Sequence, residues 1–249
     1  KGVKGEIVTL GQVCDLVANG DKLYAATDRG LFYLDDVEGY IKSKGKSEAW
    51  KGWKNLLYGT VVNDVEISGS NLYAGSANGV FESTDGGENW SAVGNIGTAV
   101  YSVNANLGST LLAGTDNGVF SYVNGQTTWN AEGKVEGRVY SIATDPYSDS
   151  IYIGSANGFY VSRDGGITFN KVSGDAVVRS ISVGYTADPT QGKSAFALYL
   201  ATETGVMNAS LSEMIMNEGV ITPPVSTPGA EGTSRPVPTT PNATGNVSQ

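Results

Sequence analysis

Leu72-Tyr73-Ala74-Gly75-Ser76-Ala77-Asn78-Gly79-Val80-Phe81 is one of five near-copies of a single segment in a chain of 249 residues. The others are Leu23-Tyr24-Ala25-Ala26-Thr27-Asp28-Arg29-Gly30-Leu31-Phe32, Leu112-Ala113-Gly114-Thr115-Asp116-Asn117-Gly118-Val119-Phe120, Ile151-Tyr152-Ile153-Gly154-Ser155-Ala156-Asn157-Gly158-Phe159-Tyr160 and Leu198-Tyr199-Leu200-Ala201-Thr202-Glu203-Thr204-Gly205-Val206-Met207. Their closing glycines, Gly30, Gly79, Gly118, Gly158 and Gly205, fall 49, 39, 40 and 47 residues apart. A period near 40 with several strand-sized runs per unit is the spacing of β-propeller blades. A glycine at the same register of every copy marks a turn that needs positive φ.

An alternating run precedes each copy, at residues 13–17, 62–67, 100–105, 139–143 and 178–183. Period-two alternation puts one side chain set against a neighbouring sheet and the other against the opposite neighbour or the axis. The expected fold is therefore all-β: a propeller of about five four-stranded blades over residues 1–221, at about 12–56, 57–96, 97–136, 137–175 and 176–221. The first unit carries an insertion at residues 35–55, and the fifth an extended hairpin loop at residues 188–193. Either residues 6–10 or residues 215–221 supply the strand that completes the last blade, since a bare edge invites pairing. Residues 222–249 hold six of the eight prolines and almost no large apolar side chain, so they read as an extended or disordered tail.

Composition narrows the chemistry. The net charge of −9 disfavours a nucleic-acid partner. Residues 1–54 carry nine bases against eight acids, whereas residues 55–133 carry seven acids and no base. Histidine is absent, which removes the commonest general base and transition-metal ligand. The one cysteine, Cys14, lies in an alternating strand and reads as a small buried hydrophobe. No apolar run reaches the ~18 residues of a membrane span. The start at Lys1 without a signal-like apolar region fits a processed or trimmed chain.

Two units hold a sharper motif: Ser83-Thr84-Asp85-Gly86-Gly87-Glu88-Asn89-Trp90 and Ser162-Arg163-Asp164-Gly165-Gly166-Ile167-Thr168-Phe169. Both resemble the Asp-box, S-x-D-x-G-x-x-W/F, of sialidase-type (BNR-repeat) propellers. Ser83, Asp85, Gly87 and Trp90, like Ser162, Asp164, Gly166 and Phe169, would staple a turn between outer strands: Ser and Asp accept backbone N–H bonds, glycine takes the left-handed position and the aromatic packs beneath. Gly125-Gln126-Thr127-Thr128-Trp129 is a degenerate third copy. In the resembled family this turn lies away from the axis, so the resemblance implies the fold and no particular activity.

A sialidase-like site needs an arginine cluster, and the chain has five arginines, Arg29, Arg138, Arg163, Arg179 and Arg235. Asp15 and Asp64 occupy equivalent places on successive inner strands, where later repeats put Ser102, Ser141 and Ser180, a series that reads as small polar residues lining a narrow wet channel. Calcium at Asp35-Asp36-Val37-Glu38 or Asp145-Pro146-Tyr147-Ser148-Asp149 is weighed and set aside, because acidic turns are usually only solvated. No catalytic residue, metal or cofactor is assigned. Lys42, Lys44, Lys46, Lys51 and Lys54 with Trp50 and Trp53 form a candidate contact surface. Four N-glycosylation sequons begin at Asn89, Asn208, Asn242 and Asn246.

The expectation is a non-catalytic extracellular or cell-surface protein, a self-assembling subunit of a surface layer or filament joined head to tail to identical copies. The alternative is a monomeric glycan-binding or adhesion propeller on a glycosylated stalk, with Trp50, Trp53 or Tyr185 stacking on sugars. A third reading is a glycoside hydrolase using Asp15 and Asp64.

Overall fold

The computed structural model describes residues 10–42, 52–108, 110–145, 147–173, 175–188 and 193–210. They form five antiparallel sheets arranged as the blades of a propeller. Blade 1 runs β1 (Val13–Asn19), β2 (Lys22–Thr27), β3 (Gly30–Leu34) and β4 (Trp53–Asn55). Blade 2 runs β5 (Val62–Ser68), β6 (Asn71–Ser76), β7 (Gly79–Ser83) and β8 (Ser91–Ala92). Blade 3 runs β9 (Val100–Leu107), β10 (Thr110–Thr115), β11 (Gly118–Val123) and β12 (Asn130–Glu132). Blade 4 runs β13 (Val139–Thr144), β14 (Ile151–Ser155), β15 (Gly158–Ser162) and β16 (Asn170–Ser173). Blade 5 shows three strands among the described residues, β17 (Val178–Asp188), β18 (Lys193–Thr202) and β19 (Gly205–Ser210). Of the candidates for its fourth strand, residues 6–10 lie outside the described residues except for Leu10, and residues 215–221 lie wholly outside, as does the tail at 222–249.

The repeated segment works because its hydroxyl position is as regular as its glycine. Thr27 Oγ1 donates to the Gly30 carbonyl at 2.8 Å and accepts the Arg29 N–H at 3.1 Å. Ser76, Thr115, Ser155 and Thr202 make the same pair of bonds with Gly79, Gly118, Gly158 and Gly205 and with the intervening N–H. Each turn thus satisfies its own backbone, with the hydroxyl buried in the first four copies, and the glycine φ values of 98 to 138° suit only that residue.

The cores lie between blades. Four apolar clusters fill the successive junctions; that between blades 1 and 2, for example, gathers Tyr24, Ala26 and Leu31 with Val62 and Val65. From β5 onward, the first valine of each inner strand presses on a small residue of the sheet before it. A Cβ on Gly75 would meet Val100 Cγ1 at 3.0 Å, one on Gly114 Val139 Cγ1 at 2.6 Å, and one on Gly154 the Val178 carbonyl at 2.9 Å. Close packing at this density leaves no room for a methyl group.

One expectation is corrected. Cys14 is exposed rather than buried, since no sheet among the described residues covers it. The insertion at 35–55 holds a short helix, α1 (Val37–Lys42), whose first turn Asp36 caps by accepting the Gly39 N–H at 2.7 Å.

Gly154→Ala is expected to destabilise the chain by about 1–3 kcal/mol, since its methyl would meet backbone that cannot step aside. Urea unfolding would show this as a lower midpoint with unchanged slope.

Candidate functional site

All five inner strands contribute to one axial cavity of about 340 Å³, lined by residues that include Asp15, Asp64, Tyr101, Tyr140, Arg179 and Ser180. The blade-to-blade alternation points their small polar side chains along the ring rather than only into it. Asp15 Oδ2 accepts the Val65 N–H at 3.3 Å, and Asp64 Oδ2 the Val103 N–H at 2.6 Å. Ser102 Oγ accepts the Ile142 N–H, and Ser141 Oγ the Ile181 N–H, each at 3.1 Å. All five members of the series line the cavity, and the first four are also latches, each tying an inner strand to the next.

Asp64 lies partly open to the cavity yet is walled by protein. Burial, then the neighbouring Asp15 carboxylate, push its pKa well above the usual range, against the pull of the Val103 N–H. Asp15 and Asp64 are neighbours on the cavity wall.

At the mouth of the cavity, cations and tyrosines alternate. Arg138 lies 4.2 Å from the Tyr101 ring and 2.6 Å from Asp116, while Tyr101 donates to Asp116 at 2.9 Å. Arg179 lies 4.3 Å from the Tyr140 ring and 2.8 Å from Glu203. The structure thus gathers two of the five arginines on one rim. Arg29 sits in the β2–β3 turn and Arg163 in the turn after β15, whereas Arg235 lies outside the described residues. Both rim arginines already hold a carboxylate, so their charge is largely spoken for.

The two quoted turns sit between outer strands and are built alike. Ser83 Oγ donates to Asp85 and accepts the Gly87 N–H at 2.8 Å, while Asp85 accepts the Asn89 N–H at 2.9 Å and Trp90 Nε1 donates to the Gly87 carbonyl. Ser162, Asp164, Gly166 and Thr168 repeat the pattern, with Phe169 buried beneath. The Asn89 backbone and amide N–H groups lower the Asp85 carboxyl to about 2, and the Thr168 hydroxyl, then its N–H, lower that of Asp164 to about 2. Asn89 is exposed, but its side-chain amide donates to Asp85 Oδ2 at 2.7 Å. Asn208 is exposed on β19, and Asn242 and Asn246 lie outside the described residues.

The candidate contact surface is only partly in view. Lys42 ends α1 and pairs with Glu38 at 2.6 Å. Lys54 on β4 donates to Tyr33 Oη at 3.0 Å, with Trp53 half-buried beside it. Lys44, Lys46, Trp50 and Lys51 lie outside the described residues, as does the side chain of Tyr185. Of the acidic turns, Asp36 serves as the helix cap, and Asp145 accepts the Tyr147 N–H and the Ser148 hydroxyl.

The model of the DUF6242 beta propeller domain matches residues 11–139, just over half of the chain. The chain belongs to that family. Solved structures agree on the fold. The extracellular domain of a proposed hybrid two-component system of B. thetaiotaomicron (BT3049) aligns with a TM-score of 0.61 at 15% identity, covering 84% of this chain and 29% of that one. A second such domain (BT4673) gives 0.57 at 16% identity over 82% and 32%. An ancestral GH74 enzyme gives 0.53 at 18% identity over 81% and 31%. The chain thus spans a third or less of the length of these proteins. No curated protein matches the sequence. The family match ends at the first residue of β13, so it takes in three blades and their two junctions.

Two pH effects follow. Because the Asp64 pKa is raised above its unfolded value of 3.8, its stabilisation is complete below that value and is lost as pH rises through the folded pKa. Asp64→Asn keeps an acceptor for Val103 and is expected to flatten this decline in urea titrations run from about pH 4 upward. For Asp85 the sign reverses: its contribution is present above 3.8 and disappears as pH falls through about 2. Asp85→Asn should lessen acid sensitivity in that window, read by circular dichroism.

Proposed function

We propose that this chain is a non-catalytic interaction subunit of an extracellular assembly, with the two turns at Ser83–Trp90 and Ser162–Phe169 as Asp-boxes that only staple its blades. One observation carries the reading: among the described residues, both ends of the blade series leave apolar side chains exposed. Leu16 on β1 is 56% exposed, whereas its counterparts Val65, Val103, Ile142 and Ile181 are buried. Val206 on β19 is 65% exposed, whereas Leu31, Val80, Val119 and Phe159 are buried. Apolar faces of this kind mark interaction sites. The extracellular setting is supported by the B. thetaiotaomicron domains that share the fold.

A second reading, a saccharide-binding propeller, draws on the axial cavity with Tyr101, Tyr140 and Arg179 at its mouth. Tyrosine rings and charged donors are the groups that hold sugar rings and hydroxyls.

Light scattering across a concentration series, with negative-stain imaging, separates the two. The assembly reading expects mass to grow with concentration and particles to join; single particles at every concentration would remove it. Saccharide binding abolished by Arg179→Ala in isothermal titration would favour the second reading.

A further inference from the structure

We propose that blade 5 of one copy receives the β1 face of a second copy, making a fifth junction of the kind the chain builds four times within itself. This rests on the assembly reading above and names the partner and the polarity of the contact.

Each internal junction has the same parts. A valine heads the inner strand (Val62, Val100, Val139, Val178) and presses on Ala26, Gly75, Gly114 or Gly154 of the sheet before it. Three residues on, a second apolar side chain is buried, and its N–H is taken by the Asp or Ser of the preceding inner strand. The free ends carry the two halves of this device. On one side stand Val13, 43% exposed, and Leu16. On the other stand Ala201, Tyr199, Val206 and Ser180. Tyr199 is 40% exposed, whereas Tyr24, Tyr73, Leu112 and Tyr152 at its register are buried.

The latch is also set. Leu16 pairs with Ala25 in the register by which Val65 pairs with Ala74 and Val103 with Ala113, so its N–H is the one aimed at a preceding blade. Ser180 has the position of Ser102 and Ser141, is exposed, and accepts no such bond among the described residues. Ser180 Oγ and the Leu16 N–H are the acceptor and donor of a fifth latch.

The occupant must present a sheet, since every covered face here is covered by one. A second copy offers both missing halves in the required chemistry. The five inner strands already surround one cavity, so a copy that continues the series has to step along the axis. The contact is then heterologous and propagates as a helical polymer.

Two substitutions at exposed positions each close one end: Leu16→Asp the β1 face, Val206→Asp the blade 5 face. Alone, each is expected to weaken self-association by about tenfold or more. Mixed in equal amounts, they should form a 1:1 dimer that grows no further, because the two intact faces are then paired and each outer face carries an aspartate. Polymers that form undiminished with either variant would overturn this junction and leave the assembly reading standing. Native chain that stays monomeric would overturn both. Strong hydrogen-exchange protection at Leu16 in the monomer would show that the chain covers the face itself, and would likewise overturn the junction. Should the aspartates disturb folding by circular dichroism, Leu16→Ser and Val206→Thr serve for the same mixing experiment.

Discussion

The close approach of one inner-strand valine to a glycine or alanine of the preceding sheet is the constraint from which the architecture follows. With Gly114 under Val139 and Gly154 under Val178, two sheets come near enough for their larger apolar neighbours to interlock on either side. Burying such side chains is worth about 1.5–3 kcal/mol each, and only the dense fit secures it. A blade alone has no core. Its stability resides in its contacts with the blades that flank it, as in other repeat proteins.

Polar groups are organised by the same repetition. The hydroxyl of each Leu-Tyr-Ala-Gly-Ser-type segment closes its own turn, and the Asp or Ser of each inner strand ties the next one. Replacing Asp15 and Asp64 by serine in later blades keeps the acceptor and removes the charge. The first two blades therefore concentrate acidity at the axis, where burial and mutual repulsion keep the Asp64 carboxyl protonated to higher pH. The rim above it is held by arginine–tyrosine stacking and by Asp116 and Glu203. The axis is thus a structural centre first, whatever else binds there.

Regularity also makes interruption informative. Val13, Leu16, Tyr199 and Val206 are ordinary apolar residues, unremarked in a sequence, and each is exposed where its four counterparts are buried. Such residues add apolar surface at the two ends of the blade series to that of Tyr58, Tyr147 and Ile167 elsewhere.

Five blades, their inner strands and the two stapled turns were legible in the sequence, because each is encoded by local periodicity and by turn residues repeated in register. The hydroxyl of Thr27, Ser76, Thr115, Ser155 and Thr202 was equally legible, three residues before each glycine, and could have been read as part of the turn. What no local pattern could show was direction between blades: that Asp64 and Ser102 reach along the ring to a backbone N–H, that Arg138 and Arg179 meet on one rim, and that Cys14 is uncovered. Those facts depend on which sheet lies beside which, and on where the series has no neighbour, so they exist only once the blades are packed.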